Sequence, residues 1–159
     1  MSDIEITSEQ FQQDGELPAS AAHPSTGGQN RSPQLSWEGV PEGTRSLAVT
    51  CYDPDAPTTV GFSHWVRFGI PASVRSLDEG AGTEDGEWTD GITDWGEHHY
   101  GGMAPPAGDP PHHYHFTVYA LDSETLGLDP DTTYAKFRFL IRGHVLGTGT
   151  ITGLYAVSG

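Results

Sequence analysis

The chain has very little positive charge, and this shortage excludes two large classes of function. Its 159 residues contain 7 Lys and Arg against 22 Asp and Glu, which gives a formal net charge of −15. Nucleic acids and anionic membrane surfaces are bound through clustered basic side chains, so neither is an expected partner. Because salt relieves repulsion among carboxylates, the composition favours a protein of a saline cytoplasm over an ordinary acidic protein.

Cysteine and long apolar runs are also scarce. The single cysteine, Cys51, excludes a disulfide framework within the chain, and its apolar neighbours predict a buried structural thiol. No apolar run approaches the roughly 20 residues of a membrane-spanning helix, so stable membrane insertion is not expected. Residues 1–11 are polar and acidic, unlike a secretory signal, which predicts a cytoplasmic protein.

Glycine and proline, in contrast, are abundant, with 21 and 12 copies. Both residues interrupt regular structure, so we expect many short strands and few helices in a single domain over residues 1–159. A polar N-terminal arm is expected over residues 1–25. The acidic, Gly-rich residues 78–97 are expected to form a surface loop.

Alternating apolar residues predict strands over residues 46–52, 63–70 and 114–121. In the second of these, the alternation assigns four residues to one face: His64, Val66, Phe68 and Ile70. Helical spacing after an acidic start signal predicts one short helix over residues 134–143. With a final strand over residues 145–157 and short connections throughout, the chain is predicted to be mainly β, with antiparallel pairing.

The segment DPDAP at residues 53–57 directly follows a predicted strand. Its prolines stiffen the loop, and His64 returns on the next strand. Two carboxylates and an imidazole placed in this way can surround a small cavity. The alternative is a turn in which an aspartate caps its own backbone, and the segment alone does not decide between them.

The segment YGGMAPP at residues 100–106 precedes HHYHF at residues 112–116. A Gly-Gly pair lets backbone N–H groups approach an anion closely, and His112 can donate to the same anion. The alternative is a hairpin loop with solvated histidines.

Together these segments resemble the phosphatidylethanolamine-binding protein family, in particular its prokaryotic branch described as Raf-kinase-inhibitor-like. The similarity covers roughly residues 30–155, with SPQLSW at 32–37, HWV at 64–66, FTVYAL at 116–121 and GHVL at 143–146 in family order. The resemblance implies a compact fold of antiparallel sheets, with one or two short helices toward the C-terminus. It also implies a pocket for phosphate or a phosphorylated headgroup. We expect no cofactor and no metal.

Carried over by position, the resemblance implies seven ligand-binding residues: Asp53, Asp55, His64, Gly102, Pro105, His112 and Tyr114. The chain departs from the family pattern at three positions. Ala104 stands where relatives often have cysteine, and His113 replaces a frequent arginine and its permanent charge. Met103 stands where smaller residues are common, and it is expected to narrow the entrance.

Two aspartates beside a phosphate repel it, so we expect Asp53 and Asp55 to act through the histidines. A carboxylate that accepts a ring N–H from His64 or His112 raises the imidazole pKa and directs the other nitrogen to the ligand. The alternative is an aspartate that meets a ligand ammonium. Anion affinity is therefore expected to rise as pH falls through the histidine range, near ~6.5.

Two other functions are compatible with the same residues. The first is an enzyme that uses the Asp/His pocket for acid–base or metal-assisted hydrolysis. Adjacent histidines on a strand face opposite sides, however, and the chain has no His-Glu-x-x-His helix and no cysteine pair. The second is regulation of a protein partner such as a kinase or protease, as the resemblance implies. The sequence identifies no partner and leaves the oligomeric state open, a homodimer included.

Overall fold

The computed structural model describes residues 2–159, which form two sheets and one α-helix. The strands are β1 (Ser2–Asp3), β2 (Glu5–Thr7), β3 (Gly15–Glu16), β4 (Leu35–Glu38), β5 (Ser46–Asp53), β6 (Phe62–Pro71), β7 (Ser76–Leu77), β8 (Thr89–Asp90), β9 (His112–Leu121) and β10 (Val145–Tyr155). The α-helix is α1 (Tyr134–Leu140), and short 3-10 helices cover Ala19–Ala21, Pro24–Thr26 and Ala81–Thr83. The predicted mainly β class, with a short helix near the C-terminus, is confirmed.

The larger sheet has the strand order β1-β10-β9-β5-β6-β8. The seventh strand, β3, also pairs with β10, at residues beyond those that pair with β1. Its long strands pair antiparallel, as the short connections predicted, whereas β1 and β3 run parallel to β10. The smaller sheet has the order β2-β4-β7. The larger core cluster contains buried residues of both sheets, while a second cluster lies between the larger sheet and α1.

Strand β6 departs from the simple alternation that the sequence predicted. Its pairing with β5 shifts register twice, once at His64 and once beside Gly69, whose φ is 69°. Each inserted residue exchanges the faces of the residues that follow it. Val66 therefore packs in the cluster below α1, whereas Ile70 packs in the larger cluster on the other face. The predicted common face for His64, Val66, Phe68 and Ile70 is wrong.

The N-terminal segment packs onto the sheets and is not the polar arm that its composition suggested for residues 1–25. Ile4, Phe11 and Leu17 are buried in the larger core cluster. These apolar residues are too widely spaced to produce a helix or strand period, so the sequence pattern did not reveal them. Met1 lies outside the described residues.

Helix α1 ends three residues before the predicted boundary. The Thr133 hydroxyl caps its first turn by accepting a hydrogen bond from the Lys136 amide. Gly143, with φ of 80°, turns the chain away after the last helical residue. The helix buries Phe137 against the rings of Phe68 and Tyr119.

A buried ion pair fastens the acidic loop to the larger sheet. The Arg67 guanidinium on β6, with 0% exposure, donates to both carboxylate oxygens of Asp90 at 2.8 and 2.9 Å. It also donates to the Ala81 carbonyl and lies between the rings of Trp65 and Trp88. The planar guanidinium satisfies this set of acceptors simultaneously. Residues 78–97 are therefore anchored at their centre, and only partly a surface loop.

We predict that Asp90→Ala lowers the free energy of unfolding by about 3–5 kcal/mol, because it leaves the buried Arg67 without its counter-charge. Urea denaturation followed by tryptophan fluorescence measures the change. Asp85→Ala, an exposed position in the same loop, is the matched control, with an expected change within about 0.5 kcal/mol. An equal effect of both substitutions would contradict the assigned role of the ion pair.

Candidate functional site

A cavity of about 230 Å³ opens at one edge of the larger sheet. Most of its wall is apolar, formed by Phe62, Trp95, Tyr114, Pro105 and Pro106. Its polar lining comes mainly from three titratable side chains, those of Asp53, His64 and His112. This combination of an apolar wall and a few converging polar groups is typical of small-molecule sites.

Sheet topology explains why these side chains meet. Strand β5 is antiparallel to both β6 and β9, so its C-terminal end lies beside the N-terminal ends of both neighbours. Asp53 closes β5, whereas His64 lies near the start of β6 and His112 begins β9. The register shift at His64 places its ring against that of Tyr114, with ring centroids 5.3 Å apart.

The His112 ring is held between two carboxylates. Its Nδ1 lies 2.7 Å from Asp53 Oδ2, and its Nε2 lies 3.0 Å from Asp109 Oδ2. A neutral imidazole has only one N–H, so it can satisfy one of these carboxylates and not both. The contacts therefore favour the doubly protonated imidazolium. Burial lowers the pKa of His112, but the hydrogen bonds to Asp53 and Asp109 outweigh it and the pKa is raised above its ordinary value.

His64 is in the opposite protonation state. Its Nδ1 lies 2.8 Å from the Gly101 carbonyl oxygen, which can only accept, so Nδ1 carries the proton. Burial lowers the pKa of His64 and outweighs the hydrogen bond to Gly101, so the ring is neutral. Its Nε2 then has a lone pair and can accept a hydrogen bond. The two imidazoles of the cavity thus have complementary hydrogen-bonding roles.

Tyr114 adds a neutral phenol to the wall. It is 1% exposed, and burial, followed by the nearby Asp53 charge, raises its pKa. The phenol therefore stays protonated at physiological pH.

Asp55 points away from the cavity. Its Oδ2 accepts hydrogen bonds from both the amide and the ring Nδ1 of His113, each at 2.7 Å. Burial raises the pKa of Asp55, but the bonds from His113 outweigh it and the pKa is lowered. The Asp55 amide in turn donates to Asp53 Oδ1 at 2.7 Å. Asp55 is therefore connected to the cavity through Asp53, and the side chain of His113 is half exposed beside it.

Both amides of the Gly-Gly pair are occupied by protein acceptors. The Gly101 N–H donates to the His64 carbonyl, and the Gly102 N–H donates to the Asn30 side chain. A Cβ at Gly102 would lie 2.4 Å from the Ala21 carbonyl oxygen, and one at Gly101 would lie 2.3 Å from Trp95 Cδ1. The glycines therefore permit close packing behind the cavity, and their amides are not the free anion donors that we expected.

Of the seven residues that the resemblance implied, the structure brings five to the cavity: Asp53, His64, Pro105, His112 and Tyr114. Asp55 and Gly102 lie behind it. Ala104 also lines the wall, whereas Met103 is buried in the larger core cluster. The expectation that Met103 narrows the entrance is wrong.

Sequence reasoning missed three residues of the site. Phe62 and Trp95 form the aromatic wall, and Asp109 holds the second nitrogen of His112. Asp109 precedes His112 by three residues in the segment GDPPH, a spacing that could have indicated the contact. Trp95 comes from the acidic loop, and no local pattern links it to the cavity.

The sequence and the fold match known proteins. The phosphatidylethanolamine-binding protein family matches residues 7–156. The chain is 40% identical to the UPF0098 protein YbcL of Escherichia coli over 161 residues, which cover 97% of this chain and 88% of YbcL. It is 44% identical to YbhB of Escherichia coli over 133 residues, which cover 81% of this chain and 84% of YbhB.

Solved structures agree. The crystal structure of Escherichia coli YbcL superimposes with a TM-score of 0.92 at 39% identity, covering 98% of this chain and 99% of YbcL. A phosphatidylethanolamine-binding protein homologue of Chlamydia trachomatis gives a TM-score of 0.84 at 28% identity, with 98% of each chain covered. The chain therefore belongs to the phosphatidylethanolamine-binding protein family. Within it, the chain falls in the branch of YbcL and YbhB.

Within residues 2–159, no helix is long and apolar enough to cross a membrane. Within the same residues, no three His, Cys, Asp or Glu side chains are grouped so as to hold a metal ion.

We predict that Asp53→Asn lowers the pKa of His112, because it removes a carboxylate from Nδ1 while keeping the shape of the side chain. NMR titration of the histidine ring protons measures the shift. Asp122→Asn, which removes the carboxylate 2.8 Å from His144 on the surface, is the matched control and is expected to leave His112 unchanged. An unaltered His112 titration in Asp53→Asn would show that Asp53 does not stabilise the imidazolium.

Proposed function

We propose that this protein binds a small phosphorylated molecule in the cavity between His64 and His112. The observation that carries the proposal is the contrast between the partners of the two imidazoles. His112 contacts a carboxylate through each ring nitrogen, which favours the charged donor form, whereas His64 contacts a carbonyl through Nδ1, which leaves Nε2 able to accept. A phosphoryl group that retains one proton matches both, because its oxygens accept from His112 and its hydroxyl donates to His64.

The charges of the cavity explain why an anion can enter a protein with a net charge of −15. The Asp53 carboxylate contacts His112 Nδ1 and the Asp55 amide, so its charge is compensated by hydrogen bonds. Asp53 thus stabilises the imidazolium from behind and is not itself a ligand contact. An inorganic ion has no apolar part, however, so it makes no hydrophobic contact with the apolar wall.

The size and wall of the cavity favour an organic phosphate. A volume of about 230 Å³ is several times the ~30 Å³ that one water molecule occupies in the liquid. Phe62, Trp95 and Tyr114 offer aromatic surface to the organic part of the ligand. The family name refers to a lipid with a phosphorylated headgroup, and a headgroup such as phosphoethanolamine agrees with both features.

We expect the affinity for phosphoethanolamine to be higher at pH about 5.5 than at about 8. As pH rises through the raised pKa of His112, the ring loses its proton and with it the positive charge that attracts the phosphoryl group. Isothermal titration calorimetry at both pH values measures the affinity. His112→Gln, which has no titrating ring, is measured in parallel, so that the protonation of the ligand is separated from that of His112. An equal pH dependence of the affinity in His112→Gln and in the unmodified protein would remove His112 from the charge balance.

We further expect His64→Phe to weaken phosphoethanolamine binding about tenfold, which is the loss of one hydrogen bond of ordinary strength. Phenylalanine fills the ring position and lacks the acceptor nitrogen, so the wall is preserved. His98→Phe, at an exposed position outside the cavity lining, is the matched control. Circular dichroism checks that both variants fold, and unchanged affinity in a folded His64→Phe would place the ligand elsewhere.

A further inference from the structure

Both ring nitrogens of His112 are already in contact with carboxylates of the protein. Nδ1 contacts Asp53 at 2.7 Å, and Nε2 contacts Asp109 at 3.0 Å. An imidazolium has two N–H donors and no others. A ligand can therefore accept a hydrogen bond from His112 only if one of the two carboxylates leaves.

The two carboxylates differ in how firmly they are held. The Asp53 side chain is 3% exposed, and its second oxygen accepts the Asp55 amide. The Asp109 side chain is 37% exposed, and among the described residues its one hydrogen bond is to His112. A change of side-chain rotamer takes Asp109 into solvent without moving the backbone, whereas Asp53 cannot leave without disrupting the end of β5.

We propose that Asp109 is a specificity-determining residue whose carboxylate occupies the position that the phosphoryl group of the ligand takes at His112 Nε2. This inference rests on the function proposed above. It adds that the Asp109 carboxylate, which belongs to the same chain, competes with the ligand for His112 Nε2. Asp109 is joined to His112 by Pro110 and Pro111, whose fixed φ angles limit the freedom of the connection. Such a short tether gives the carboxylate a high effective concentration at the ring.

The Asp109 carboxylate excludes anions that contact only His112, because it already makes the same hydrogen bond at Nε2. A phosphorylated organic molecule displaces Asp109 because its phosphoryl hydroxyl also donates to His64, whose Nδ1 is held by Gly101, and because its organic part contacts the aromatic wall. Asp109 thus makes occupancy of the site depend on contacts at both imidazoles. Its loop lies next to the lining, since the Asp109 amide donates to the Pro106 carbonyl.

The test compares inorganic phosphate binding to the unmodified protein and to Asp109→Asn by calorimetry at pH about 5.5, where His112 is protonated. The amide has the shape of the carboxylate without its charge, so phosphate is expected to bind about tenfold more tightly to the variant. Acetate is expected to compete with phosphate in the variant and not in the unmodified protein. Asp3→Asn is the matched control, because it removes the same charge far from the cavity. Asp3 pairs with Thr148 on β10, and Thr148 pairs with Tyr119 near the end of β9 that is opposite to His112.

Each outcome decides the question. Tighter binding in Asp109→Asn alone supports the competitor. Weaker binding overturns it, and would mean that Asp109 assists the ligand by holding His112 charged. Equal gains in Asp109→Asn and Asp3→Asn also overturn it, since they reduce the effect to net charge, while the proposed function stands. Absence of inorganic phosphate binding in every variant overturns this inference, while the proposed function is decided separately by phosphoethanolamine binding to the unmodified protein.

Discussion

The contact between Asp53 and His112 is the interaction on which the cavity depends. It joins the last residue of β5 to the first residue of β9, at 2.7 Å and with both side chains almost fully buried. An unpaired charge in this position would be costly, so each partner requires the other. The pair therefore keeps the two strand ends together and, at the same time, raises the pKa of His112 in the cavity wall.

The two histidines show how the surroundings of a side chain decide its chemistry. Both are 3% exposed to solvent. His112 contacts two carboxylates and its pKa is raised, whereas His64 contacts a carbonyl and its pKa is lowered. Burial lowers the pKa of both rings, but His64 lies deeper in the protein than His112, so the difference comes from the depth of burial as well as from the hydrogen-bonding partners. In a protein with few cations, two carboxylate partners thus favour the protonated form of one histidine.

Much of the fold could be predicted from the sequence, because strands with one buried face alternate regularly. Strand β9 follows that rule, with Tyr114, Phe116 and Val118 in one cluster. Strand β6 does not, since its two inserted residues leave no local signal beyond Gly69. Within the site, the Asp and His segments were recognisable as motifs. The pairing of Asp55 with His113, and the use of the Gly101 and Gly102 amides in packing, depend on tertiary contacts that no single segment encodes.

The net charge of −15 limits how this site can recognise an anion. At long range the whole protein repels a phosphate, and one imidazolium with two neighbouring carboxylates does not reverse that field. Under the proposed function, recognition must therefore come from contacts made inside the cavity, where the apolar wall excludes water and strengthens each hydrogen bond. At ionic strengths where the Debye length is ~10 Å or less, the repulsion is screened outside the cavity while the buried contacts persist. Salt should thus reduce the repulsion of the ligand more than it weakens the contacts inside the cavity. The affinity would then rise with ionic strength, whereas the affinity of a basic phosphate site falls.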